Sequence, residues 1–403
     1  MQIKKTQFSL WLSSTGRLVG CDNCNEGPGR LWLLIRASLL VCLLVLPTSS
    51  LFADQPTTDT RPGTAPDIRE DDTQLKMQHG DFVVVPIPIS NPTLDTGLVA
   101  GAAYFYKQTD EQKRVQPASV TAVGGMYTSN DSKAFALGHQ GYWKSNTWRF
   151  TGAIGAADLR LSLLGPDEAS DGQSTDWRIN GDFAFAKLSR RLAGNWYGGF
   201  SLRTVNAEQS FETSISTSGF DLGSEVRSAG LGGNIEFDTR DMPLNTYSGR
   251  YFKADALFND DSLGSDNTYQ SYSLELRSYH DVSDSLVLAW EVRGCKRGGA
   301  TPLWDSCLVQ LRGFSVTDYL GKETASGQLE ARWRLSERWG LVGFAGAGYV
   351  GDSFGGVRES EPIPSYGAGV RFMVLAAKRI NLRIDYAWST DSDAIHIAVG
   401  ETF

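Results

Sequence analysis

The sequence predicts an all-β protein: a transmembrane antiparallel β-barrel of sixteen strands. Three observations carry this expectation. From Gly80 onward the chain repeats stretches of about 10 to 16 residues in which apolar and polar side chains alternate, the period of strands whose two faces meet different surroundings. The stretches number sixteen, and the connections between them alternate short and long, as in barrels with short periplasmic turns and longer outer loops. Apolar residues make up 41% of the chain, too few for a helical membrane protein, and there is only one long apolar run.

That run, Leu31 to Leu46, is interrupted by Arg36 and leads through small residues to Leu51, Phe52 and Ala53. A basic start, an apolar stretch and a small residue before the cut describe a secretory leader, so residues 1–53 read as a signal peptide with an N-terminal extension, cleaved after Ala53. A membrane anchor helix is the alternative reading of the same run. Cleavage would remove five basic and two acidic residues, leaving 33 against 44 and a net charge of −11. An acidic balance of this size argues against nucleic acid as a partner. Residues 54–79 are polar and contain Pro56, Pro62 and Pro66, the composition of a flexible periplasmic linker. Residues 80–403 are assigned to the barrel.

Within the barrel, strands are expected at 80–91, 96–107, 118–129, 132–144, 147–161, 176–189, 195–206, 225–238, 249–259, 267–280, 285–296, 322–336, 338–350, 364–378, 380–389 and 393–403. With both ends of the barrel segment in the periplasm, the inner turns are mostly short (145–146, 190–194, 281–284, 337 and 379). The outer loops are often long and polar (162–175, 207–224, 260–266, 297–321 and 351–363). The faces are clearest near the C-terminus. Leu382, Ile384, Tyr386 and Trp388 share one face, and Asn381, Arg383 and Asp385 the other; Leu329, Ala331, Trp333 and Leu335 oppose Glu330, Arg332 and Arg334. A face bearing charges of both signs cannot meet hydrocarbon cheaply, so it is expected to look into a polar interior. A soluble sandwich shows the same alternation; the strand count and the connection lengths favour the barrel. Aromatics at 11% and 43 glycines suit interface girdles and crowded strand positions.

Of five cysteines, Cys21, Cys24 and Cys42 fall in the expected leader. Cys295 and Cys307 lie twelve residues apart in one exported region, where an oxidising compartment would let them bridge. The histidines, His79, His139, His280 and His396, show no metal-ligand spacing, and no GxSxG or P-loop occurs. The glycines from Gly343 to Gly351 sit inside a strand pattern and read as barrel packing. No enzyme and no cofactor are expected.

Three segments stand out: Leu311-Arg312-Gly313-Phe314 in the longest loop; Asp238-Thr239-Arg240-Asp241-Met242-Pro243, followed by Gly249, at an inner turn; and Phe344-Ala345-Gly346-Ala347-Gly348 in the thirteenth strand. In this order, over about residues 80 to 403, they resemble the BamA/TamA outer-membrane assembly-factor superfamily, also called the bacterial surface antigen family. The resemblance implies a sixteen-stranded barrel whose loop after the eleventh strand carries a (V/I)RG(F/Y) motif, with five strands following it; five follow Arg312 here. Asp238, Arg240, Asp241, Pro243 and Gly249 match the family's DxRDxP…G turn. Phe403 ends the closing strand, and a terminal aromatic is what barrel-insertion machinery reads, which makes that machinery an expected partner for the chain's own insertion.

The resemblance further implies that the loop folds inward and that its arginine pairs with acids on the wall. Carried over, Arg312, Gly313 and Phe314 form a lumen latch and Arg312 meets Glu330, because a buried guanidinium requires such a partner. The family's FxDxG is altered here, Gly346 standing where the acid would be; Asp385 and Arg371, also inward, are the candidates to rebuild the network. Family members that assemble proteins carry periplasmic POTRA domains, and the 26 residues from 54 to 79 are too few for one, so a barrel-only member is expected. The implied function is insertion, translocation or lipid handling at the outer membrane, with outer-membrane lipids and client outer-membrane or secreted proteins as partners. The alternative is a structural or pore-forming barrel with no assembly activity.

Overall fold

A computed structural model describes residues 80–164, 174–213, 224–243, 245–351, 361–376, 379–390 and 392–403. The leader and linker expected over 1–79, and the tips of three outer loops, lie outside the described residues. Sixteen strands close into one antiparallel barrel: β1 (Asp81–Asn91), β2 (Asp95–Phe105), β3 (Val120–Thr128), β4 (Lys133–Trp143), β5 (Trp148–Leu164), β6 (Ser174–Ala193), β7 (Trp196–Thr213), β8 (Ser224–Asp238), β9 (Gly249–Asn259), β10 (Tyr269–Ser283), β11 (Leu286–Gly299), β14 (Glu323–Arg334), β15 (Trp339–Gly351), β16 (Ile363–Leu375), β17 (Ile380–Trp388) and β18 (Asp393–Val399). Each strand pairs with its sequence neighbour. The exception is the step from β11 to β14, which spans a loop holding a two-residue hairpin, β12 (Cys307–Leu308) and β13 (Leu320–Gly321). The ring closes where β18 meets β1.

The distribution of side chains is inverted relative to a soluble fold. On β14, Leu329 is 64% exposed while its neighbour Glu330 is 2% exposed, and Thr324, Ser326, Gln328 and Arg332 are buried beside Glu330. An arginine or lysine on the lipid face costs about 2–4 kcal/mol at the bilayer midplane, and a carboxylate less. A one-residue slip would turn Glu330 and Arg332 outward together, so the alternation fixes the register. Exposed aromatics collect at both rims: Trp143, Trp196, Trp333 and Trp339 at the short-turn end, and Tyr127, Phe258, Tyr349, Tyr366 and Trp388 at the long-loop end. These are the positions at which amphipathic rings meet the two membrane–water interfaces.

The structure departs from the sequence reading in three places. Strands β5, β6 and β7 run to Leu164, from Ser174 and to Thr213, into segments expected to be loop; backbone pairing continues there because it does not depend on a hydrocarbon-facing side chain. The β2–β3 connection at the short-turn end contains a helix, α1 (Asp110–Val115), held by a capping box between Thr109 and Gln112, and too short to leave a period in the sequence. The closing strand stops at Val399 rather than Phe403. Gly400 adopts φ +89°, a conformation open to glycine, and the chain after it turns inward. Glu401 bonds Arg371 and Asn381, Thr402 bonds Arg383, and Phe403 is buried against Tyr279 with its carbonyl 2.9 Å from Arg332 Nη2.

Candidate functional site

The inward face of the C-terminal strands presents acids and guanidinium groups in alternating register, and the loop after β11 reaches them. Arg312, 3% exposed, sends Nη1 to Asp385 Oδ2 on β17 at 3.0 Å and Nη2 to Gln328 Oε1 on β14 at 3.2 Å; Nη2 also pairs with Glu330. Its guanidinium carbon lies 3.4 Å from the centroid of the Phe344 ring on β15, a cation–π contact strengthened by burial. The acids are shared. Glu330 also takes Arg332 Nε at 2.8 Å, and Asp385 takes Arg371 Nη1 and Arg383 Nη1. A planar donor fork bridging two carboxylates on different strands is a task for arginine, not lysine.

Gly313 follows with φ +108°. A Cβ there would meet the backbone of Trp388 at 3.0 Å, so the close approach requires glycine. Its N–H donates to His396 Nε2 at 3.1 Å and its carbonyl accepts from Ser392. Phe314 packs edge-on against Tyr319 in a buried apolar cluster with Val309, Leu311, Val350 and Ile363. The structure thus brings Arg312, Gly313, Phe314, Glu330, Arg371 and Asp385 together. Position 346 is glycine, and Asp385 supplies the second carboxylate from β17.

The loop has a second anchorage, which sequence reasoning missed. Asp305 is buried and takes Arg203 Nη1 at 3.1 Å, Tyr269 Oη at 2.8 Å and Arg297 Nη2 at 3.3 Å, with a further contact to Arg203 Nη2. Arg203 belongs to β7 and Tyr269 to β10, so the loop bonds strands on both sides of the ring. Two residues on, Cys307 is joined to Cys295 of β11 by a disulfide. The available signals were a lone acid in an outer loop and an arginine on the inward parity of β7, neither of which names the other.

Burial alone would raise the Asp305 carboxyl, but Arg203 and Arg297 outweigh it and hold it below the usual carboxylate range. A depressed carboxylate contributes stability above its unfolded value, about 3.9, and loses it as pH falls through the lower folded value. Bilayer conductance is therefore expected to stay flat from about pH 8 to pH 5, the range over which Asp305 keeps its charge. A rise already between neutrality and about pH 5 would show that another group holds this part of the loop.

The turn from Asp238 to Gly249 forms its own structure at the short-turn end. Asp238 accepts both Nε and Nη2 of Arg240 at 3.0 Å, and Arg240 stacks 4.1 Å from the Tyr251 ring centroid. Asp241 accepts the backbone N–H groups of Tyr247 and Ser248 and pairs with Arg379 of the β16–β17 turn. Burial pulls the Asp241 carboxyl upward, but Arg379 and these backbone donors leave it below its ordinary value. Pro243 is exposed at the turn's tip and Gly249 has φ +116°. The side chains of this segment meet Arg379, Tyr251 and, at Tyr247, Arg334, and among the described residues none of them bonds Arg312, Glu330 or Asp385.

Residues 129–403 match the Omp85 superfamily domain. The chain belongs to the Omp85 superfamily. Among solved structures, BamA from Haemophilus ducreyi lacking POTRA domains 1–3 is similar to this Omp85 barrel with a TM-score of 0.53 at 13% identity, over 80% of this chain and 70% of that one. CdiB from Acinetobacter baumannii gives 0.52 at 11% identity, over 80% and 60%, and CdiB from Escherichia coli 0.56 at 10%, over 79% and 62%. The chain spans less than two thirds of either CdiB, and at these identities the likeness shows the fold. No curated protein matches the chain significantly. An Omp85 barrel of this form places the protein in the bacterial outer membrane, and at the level of the family the role is insertion or translocation of proteins there.

Proposed function

We propose that this Omp85 barrel inserts or translocates protein chains at the outer membrane, without bond chemistry, through a seam between β1 and β18, while the loop carrying Asp305 and Arg312 closes the bore. The observation that carries this reading is the join itself. β1 pairs with β2 along its whole length, Asp81 to Asn91, but with β18 only at Ser90 and Ile397 in the described register.

Two prolines account for the short join. The Ser129 N–H donates to the Thr96 carbonyl at 2.8 Å, so Thr96 turns its backbone toward β3. Its ladder partner Ser90 therefore turns away from β2 and toward β18. Residues two and four back share that direction, and they are Pro88 and Pro86, which have no N–H to give. Extending the Ser90–Ile397 register would set Pro88 opposite Val399 and Pro86 opposite Glu401, which has already turned inward to Arg371.

The test is a disulfide between Ser90→Cys and Ile397→Cys, with insertion of a small outer-membrane barrel into vesicles as readout. Oxidised protein is expected to lose its acceleration of insertion and to regain it on reduction. Pro88→Ala supplies one donor opposite Val399, worth about 0.5–1.5 kcal/mol, and should slow insertion several-fold, whereas Pro86→Ala should leave it unchanged. Full activity in the cross-linked barrel would refute the seam.

A further inference from the structure

We propose that the cavity at the short-turn end of β14, β15 and β16 binds a phosphate group. The cavity measures about 570 Å³. Strand register builds it: Gly340 of β15 lies opposite Arg334 of β14 on one side and Arg371 of β16 on the other, so no side chain stands between the two guanidinium groups. Arg332, two residues from Arg334 on the same inward face, completes the basic wall.

Three N–H-bearing nitrogens of this wall, Arg332 Nη1, Arg334 Nη1 and Arg371 Nη2, are buried with no partner among the described residues. Arg332 and Arg371 are 6% and 4% exposed. Their other donors are engaged: Arg332 by Glu330 and the Phe403 carbonyl, Arg371 by Glu401 and Asp385, and the half-buried Arg334 by the Asp284 carbonyl at 2.9 Å and the Asp281 carboxylate at 3.3 Å, with Tyr247 stacked on it. Three carboxylates also line the cavity, Asp284, Glu337 and Glu401. Glu401, the one that reaches the buried end, is held by Arg371 and Asn381. Unpaired buried guanidinium donors are unfavourable unless an anion satisfies them, and converging arginine forks match a tetrahedral oxyanion.

The lining continues from these buried arginines to Trp339, which is exposed on the lipid side of the turn beside Trp333. Tryptophans at this height mark the headgroup layer, so the phosphate of an inner-leaflet phospholipid is the favoured source over free phosphate.

Calorimetry on the full chain in uncharged maltoside micelles tests this. The probes are dihexanoyl phosphatidylglycerol, dihexanoyl glycerol and inorganic phosphate. Saturable binding of one phospholipid per barrel is expected, absent with the phosphate-free lipid. Arg334→Gln should weaken it about tenfold, the loss of one charge-assisted hydrogen bond. Gly340→Val, whose Cβ would sit 2.9 Å from the Trp333 carbonyl and 3.6 Å from Arg371 Cβ, should abolish it; if that variant misfolds, Arg334→Gln alone decides. Equal binding of inorganic phosphate would keep the site and transfer it to soluble phosphate. Failure of both phosphate probes to saturate, or wild-type binding by Arg334→Gln, would overturn the proposal.

Discussion

Arg312→Ala is expected to convert a poorly conducting barrel into one with a large, fluctuating conductance in planar bilayers. The substitution removes the only group among the described residues that bonds Glu330 and Asp385 at once, and with it the stacking on Phe344. Breaking a buried ion pair costs about 3–5 kcal/mol when the surviving partner is stranded. Here neither acid is stranded, because Glu330 keeps Arg332 and Asp385 keeps Arg371 and Arg383. The loss should therefore fall near the lower end, about 3 kcal/mol, a shift of roughly a hundredfold between docked and undocked loop. Arg312→Lys should lie between the two, since one ammonium cannot bridge carboxylates on β14 and β17 with a rigid fork. The wall itself is expected to persist, since its strands pair independently of the loop. Unchanged conductance in a correctly folded Arg312→Ala barrel would mean that the loop does not close the bore.

The sequence was most informative where a side chain's surroundings repeat with the period of the backbone. Leu329, Trp333, Ile384 and Trp388 alternate with Glu330, Arg332, Arg383 and Asp385, and that alternation both counted the strands and marked the inward face. Family resemblance added the meeting of Arg312 with Glu330. Choice of partner across the ring was less legible. Asp385 is a candidate by its inward parity, but it stands two strands from Gly346 around the barrel, and closure of the sheet is what brings it to Arg312. The pairing of Arg203 with Asp305 joins residues 102 apart in sequence, with nothing local to link them. Gly400 was read as part of a strand because the sequence does not distinguish a glycine within a ladder from one at φ +89°. Pro86 and Pro88 are plain in the sequence, but the edge they face follows only from the direction of the Thr96 carbonyl.

The largest conductance is expected only when the first half of the loop is released as well, and that should take two changes made together. Asp305 is held by Arg203, Tyr269 and Arg297, and Cys307 by the covalent bond to Cys295. With the disulfide intact, residue 305 stays within two residues of the wall. Asp305→Ala then lets the chain move only as far as that tether permits, and the effective concentration of the loop at its seat remains high. With Asp305 intact, Cys307→Ser leaves a buried carboxylate paired to two guanidinium groups, which resists undocking by about 3 kcal/mol or more. Each single change should therefore alter conductance little in an Arg312→Ala background, while the two together should raise it well beyond their sum. Such non-additivity identifies two restraints acting on one segment. Simple addition of the two effects would instead mean that Asp305 and Cys307 restrain separate parts of the loop, and the seat formed by β7, β10 and β11 would have to be treated as two sites.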